Sequence, residues 1–314
     1  MVLNPIDPAR GAFSPAVPGV EAARVGIAAR LQQLRAAALR HDRAAVQEQI
    51  PEFAALDRSH SSPFHLYNMD EHTFILLDRL VADPAVGARV SEAIVVAALL
   101  HDIGKPNVAA SSAKNPGVLQ FIKHDVVGAD EVAPPILERL GISGQERDQI
   151  DALIRFHMRP VDLLGQLASG QLQDKTIRGF INDVLVPLER TGLDLQMLLA
   201  FARADLIASR GEECCRRYGV APGDEQAFVA RMDQLVGELS ARITAVRAQL
   251  AAAAAAPPPV APLVTGSDLN GVFRPGKHFG EILRTARELQ SSQPNLDRAG
   301  IIAELRGRYP QHLI

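Results

Sequence analysis

Tryptophan is absent from this 314-residue chain, aromatic residues make up only 4% of it, and there are just two cysteines. Cys214 and Cys215 are adjacent, so they cannot staple distant segments, and a disulfide scaffold is excluded. With no CxxC spacing, a plain helix-surface or core role is preferred for them over a metal or redox role. Long apolar runs are missing too. The most apolar stretch, 93–100, is too short to cross a bilayer, and no charged-then-apolar leader opens the chain. A cytoplasmic protein without a membrane partner is expected. A strong excess of one charge is also lacking. The formal net charge is −3, distributed as +1 over residues 1–60, −6 over 61–262 and +2 over 263–314. Gripping long nucleic acid by charge alone needs a much stronger basic excess, so no DNA grip is expected. A small anionic substrate, or one RNA end, would need local cations or metal ions to hold it.

What the chain does have is material for a core, with 47% hydrophobic residues, and a pervasive helical period. In 21–40, Ile27, Leu31, Leu34 and Ala38 form one apolar stripe among Ala, Gln and Arg. Helices are predicted over 43–56, 69–80, 91–100, 126–140, 143–156, 173–189, 192–210, 224–250, 278–290 and 296–307. Ser91 ahead of Glu92 is a good helix start. Ser143 with Glu146 has the capping-box pattern. Alternating strand-like runs bounded by hairpin turns are absent, so the class is all-α. Residues 1–20, with four prolines and two glycines, read as an irregular arm, and 21–250 as the main helical domain. The stretch 251–262, AAAAAAPPPVAP, reads as an Ala/Pro linker, and 263–314 as a small C-terminal helical appendage.

Four of the nine histidines lie in apolar helical surroundings where a solvated imidazole would be out of place: His72, His101, His124 and His157. Asp102 follows His101 directly, where Gly104 and Pro106 are set to break the helix, and Asp205 sits among apolar and Ala neighbours. A buried carboxylate needs cations or hydrogen-bond donors. Imidazoles and carboxylates on adjacent turns of packed helices can supply a first-row divalent metal instead. One such residue alone is ordinarily a hydrogen-bonded core residue, and Asp102 could simply pair with Lys105. Six together call for a common explanation.

The order H…HD…H…H…D, spaced 29, 23, 33 and 48 residues and including HDIGK at 101–105, resembles the HD-domain superfamily of metal-dependent phosphohydrolases. LLHDIGKP, FIKH, IRFHMRP and the tail VTGSDLNGVFRPGKHFGEILRTARELQ are similar to the HD region and closing segment of bacterial CCA-adding tRNA nucleotidyltransferases, over about residues 61–314. The nucleotidyltransferase head of those enzymes has no counterpart in residues 1–60, so nucleotide addition is not expected.

The resemblance implies an HD-domain helical bundle carrying two divalent transition metals per chain (Mn, Fe, Co, Ni or Zn). His72, His101 and Asp205 would hold the first, His124 and His157 the second, and Asp102 would bridge them. It also implies hydrolysis of nucleotide or RNA-end phosphates through a binuclear metal-activated hydroxide. The expected activity is 2′,3′-cyclic phosphodiesterase, with 2′-nucleotidase or phosphatase activity beside it, suited to RNA processing. Asp102 and Lys105 would be catalytic. Lys105, and less strongly Lys123 and Arg159, would contact phosphate. Two alternatives stay open: an HD-fold diiron oxygenase with the same ligand types, and a non-catalytic RNA-binding module. The G-x-x-x-x-G-K match at 271–277 is not expected to be a phosphate loop. His278 stands where Ser/Thr is needed, Pro275 stiffens the loop, and no buried strand leads into it.

Overall fold

The computed structural model describes residues 18–59, 62–112, 117–255 and 261–314. They divide into two compact units, Met1–Ala251 and Ala252–Ile314. Among the described residues nearly every element is a helix, and the class is all-α.

The first unit opens with α1 (Pro18–Leu39) and α2 (Arg43–Gln49), followed by a tight 3₁₀ stretch, Pro51–Leu56. Helix α1 starts inside the expected arm, because proline is tolerated in a first helical turn; the rest of that arm lies outside the described residues. The single helix expected over 43–56 is broken at Ile50, the residue before Pro51, where the α conformation is disfavoured.

Next come α3 (Met69–Val81), α4 (Glu92–Leu100) and the short α5 (Lys105–Val108). Ser91 caps α4, its hydroxyl accepting from the Ile94 N–H at 3.4 Å. Ala93 to Leu100 are all buried, so α4 is apolar all round and runs through the middle of the unit. A two-strand antiparallel ribbon follows, β1 (Ala110–Ser111) with β2 (Leu119–Gln120), too short to leave an alternating pattern in the sequence.

The expected helix 126–140 is three pieces. These are α6 (His124–Val127), a wide π turn at Gly128–Val132 and α7 (Ala133–Leu140). The wide turn comes just before Pro134 and Pro135, which cannot donate to the preceding turn. Pro187 has the same effect between α10 (Asp174–Phe180) and α11 (Val186–Arg190), across Ile181–Leu185. Helices α8 (Gly144–Phe156) and α9 (Met158–Ala168) lie before these. Ser143 precedes α8, but its side chain makes no cap hydrogen bond, so the capping box read from the sequence does not form.

The unit is completed by α12 (Leu195–Ser209), α13 (Glu212–Arg217) and the long α14 (Glu225–Ala255). The alanine run carries α14 five residues past its expected end, as the best helix-forming residue should. Two packings position the site: α12 lies against α3, and α4 against α8.

The second unit contains α15 (Gly266–Leu269), α16 (Phe279–Ser292) and α17 (Arg298–Arg308) around its own core, including Leu269, Phe273, Ile282, Ile301 and Leu305. Among the described residues no strand leads into 271–277; Phe273 forms isolated bridges with Asn270 and Leu313 there. No helix among the described residues is long and apolar enough to cross a membrane.

Candidate metal centre

The apolar α4 delivers its last turn to the middle of the bundle. There His101 caps the helix, and its Nδ1 donates to the Ala98 carbonyl at 2.8 Å. Asp102 follows at the break, and α6 crosses this break at very short range. A Cβ on Gly104 would lie 2.2 Å from the His124 carbonyl oxygen and 2.6 Å from the Gly128 nitrogen. Only glycine permits that approach, and it brings His124 onto Asp102. His72 arrives from α3, His157 from the α8–α9 junction and Asp205 from α12.

All six side chains are buried and converge. Asp102 Oδ1 lies 3.2 Å from His124 Nε2 and 4.0 Å from His157 Nε2. Its Oδ2 lies 3.3 Å from His101 Nε2, 3.8 Å from His72 Nε2 and 2.6 Å from Lys105 Nζ. Two compact triads result, each able to hold a metal ion: His72, His101 and Asp102, and Asp102, His124 and His157. Asp205 stands outside both and joins through His72 Nε2, 3.0 Å from its Oδ1.

The donor chemistry fits a cation. His124 and His157 each direct Nδ1 at a backbone carbonyl, of Phe121 and Ile154, at 2.8 Å. A carbonyl only accepts, so Nδ1 carries the proton, and a neutral ring keeps a lone pair at Nε2. Yet these two Nε2 atoms face each other at 3.2 Å. Facing lone pairs repel unless a proton or a metal lies among them. His157 resists the proton: burial, then the neighbouring His101 and His124, push its pKa down to about 3. Burial opposes charge on His101 too, but Asp102 outweighs it and the net direction is up. Asp102 would be raised by burial; His101 and Lys105 outweigh that and hold it well below the ordinary range. Burial works against Asp205 in the same way, and the His72 hydrogen bond reverses it. Two ionised carboxylates and carbonyl-locked imidazoles make an acceptor-rich site suited to hard or borderline divalent metals.

Three of the six, Asp102, His124 and Asp205, line a cavity of about 500 Å³ together with Lys105, Phe64 and Phe121. That size is ordinary for a small-molecule site. Lys105 is buried, with Nζ 5.6 Å from the Phe121 ring centroid. Lys123 and Arg159 do not line the cavity. Lys123, in a left-handed conformation at the start of α6, and Arg159, on α9, are both exposed, so sequence adjacency to His124 and His157 did not put them on the same face. Cys214 and Cys215 are free thiols buried in the core and belong to neither triad. Two lining residues with basic side chains escaped sequence reasoning. His65 sits in a short Ser/Pro segment without helical period, and Arg217 looked like any helix-end arginine.

A family model for the HD domain matches residues 70–235, more than half of the chain and all six converging side chains. The chain belongs to the HD-domain family. This HD-domain chain is 30% identical over 199 residues to an A-adding tRNA nucleotidyltransferase of Deinococcus radiodurans, covering 62% of this chain and 37% of that protein. It is also 30% identical over 160 residues to a bifunctional uridylyltransferase/uridylyl-removing enzyme of Azospirillum brasilense, covering 46% of this chain and 15% of the relative. A protein of the same description from Rhodospirillum rubrum matches equally. The HD-domain chain thus spans well under two thirds of the length of the curated relatives it matches. The residues of both His/Asp triads, which could hold metal ions, lie within the stretch that the HD family model matches.

Proposed function

We propose that this protein hydrolyses nucleotide or RNA-end phosphoesters, with 2′,3′-cyclic phosphodiester opening as its principal reaction and 2′-nucleotidase or phosphatase activity beside it. One observation carries the reading: two triads share Asp102 on the floor of a cavity that also contains a buried lysine. His72, His101 and Asp205 would hold one divalent metal, His124 and His157 a second, and Asp102 would bridge them. Metals bound there supply Lewis-acid polarisation of a phosphoryl oxygen and activation of water.

The protein's own groups do the rest. The carbonyls of Ala98, Phe121 and Ile154 fix three imidazoles in one tautomer and orientation. Lys105 donates to Asp102, offsets its charge and presents an ammonium to the cavity, where an entering phosphate oxygen can accept from it. Phe64, Phe121, Met158 and Leu206 give the cavity apolar walls that pack on a base and exclude water. The relatives support the substrate class: one is named for tRNA, and the removal of a uridylyl group named for the others is cleavage at phosphorus.

The test is opening of 2′,3′-cyclic nucleotides by the purified chain supplied with divalent metals, with Asp102→Ala and His124→Ala as controls. Cyclic-phosphate opening lost in both variants is the expected result. Two bound irons and no phosphate release would favour the oxygenase reading, and no hydrolysis with any divalent ion would leave a helical binding module.

A further inference from the structure

Arg217 ends α13 at the rim of the same cavity, and its setting differs from that of its neighbour. Arg216 is engaged by acids of its own helix, Glu213 at 2.9 Å and Glu212 at 4.0 Å. Arg217 makes no ion pair within 4.0 Å among the described residues, neither with Asp102 and Asp205 nor with nearby Asp162. Its guanidinium is nevertheless held in place. It lies over the Phe64 ring at 5.9 Å and the Tyr218 ring at 5.8 Å, distances at which a cation is attracted to an aromatic face.

The third side of this seat is a missing side chain. Gly165 lies inside α9, where glycine costs about 1 kcal/mol relative to alanine. A Cβ there would lie 2.1 Å from Arg217 Nη2 and 2.7 Å from both Cζ and Nε, and these are its three nearest atoms. The helix thus carries a weak helix former at the one point where a larger residue would push the guanidinium away. An exposed fork of donors held over two rings, with no carboxylate within 4.0 Å, is suited beside a cavity to bidentate binding of a phosphate.

We propose that Arg217 binds a second phosphate of the substrate, apart from the one at Asp102 and Lys105. The preferred ligand is then a nucleotide carrying two phosphate groups, as at an RNA terminus, rather than a nucleoside with one. This rests on the phosphoesterase reading for the identity of the first phosphate. The apolar walls of the cavity would take the nucleoside body.

The test is calorimetric binding of adenosine 3′-monophosphate and adenosine 3′,5′-bisphosphate to the metal-loaded full chain in the cold, each nucleotide being recovered intact afterwards. The bisphosphate is expected to bind about tenfold tighter, the scale of one charge-assisted contact at an exposed site. Arg217→Gln should bring the ratio of affinities to about one. Gly165→Ala, which favours the helix and so should fold, should lower the same ratio by displacing the guanidinium. Equal affinities in the unaltered chain, a ratio that survives Arg217→Gln, or no binding of either nucleotide would overturn the proposal. Failure of the phosphoesterase reading would look different: no hydrolysis with metals, but an Arg217-dependent preference for the bisphosphate intact.

Discussion

Asp102 joins the two halves of the site: one carboxylate oxygen meets His124 and His157, the other His72, His101 and Lys105. Asp102→Asn keeps the shape and removes the charge, so it should abolish metal retention and lower kcat by more than about 10²-fold while the chain stays folded. Elemental analysis and circular dichroism on one preparation would check this, and a folded variant with full metal content would contradict it. Lys105→Met should leave metal content unchanged and lower kcat by about 10²-fold, as for loss of one positioned donor. A loss expressed only in KM would make Lys105 a general anion attractor.

Cys214 gives a pH-dependent prediction. Burial, then Cys215 and Asp205, push its thiol up to about 12, above its ordinary 9.0. Between those values the folded state holds a proton that the unfolded state releases, so this contribution to stability is complete below pH 9 and lost as pH rises towards 12. Neither thiol should react with a disulfide reagent at pH 8 until the chain is denatured. Rapid native labelling would count against the buried placement. The histidines and aspartates were legible in the sequence because polar residues amid apolar helical runs need partners. Arg217 was not, since its setting depends on Phe64 and Gly165, brought to it only by the fold.

The helix breaks govern the geometry of the site. Helix α4 ends in the core, the chain turns at Gly104, and α6 closes against that turn. Gly104→Ala sets a Cβ against backbone atoms that cannot move aside, so it should cost about 1–3 kcal/mol and reduce metal affinity by parting His124 from Asp102. Thermal melting and metal titration would show both effects; an unperturbed site would contradict the close approach. Most helices are legible in the sequence because a 3.6-residue apolar stripe is local information. Pro51, Pro134 with Pro135, and Pro187 interrupt stretches whose apolar stripe continues, and α5, α9, α13 and α15 are too short or follow another helix too directly to show in the periodicity.

At the scale of the whole molecule, each unit has a separate hydrophobic core, and all six converging residues belong to the first. Metal should therefore stabilise one unit only. A ligand at a hundred times its Kd adds about 2.7 kcal/mol, worth roughly 5–10 °C in a unit of this size. Calorimetry should give two transitions, of which chelator lowers one. A chelator shift in both would contradict the separation. The all-α class was plain from periodicity, and the HD order H…HD…H…H…D gave the family before any geometry. The convergence of residues from α3, α4, α6, α8 and α12 is a property of packing that spacing alone does not contain.

If Asp102 serves two metal sites, the number of metal ions bound per folded chain will show it. Titration with Mn²⁺ or Co²⁺ after chelator treatment, followed by elemental analysis, should give close to two for the unaltered chain, about one for His157→Ala and none for Asp102→Ala. A stoichiometry of one that His157→Ala leaves unchanged, or no binding at all, would contradict it.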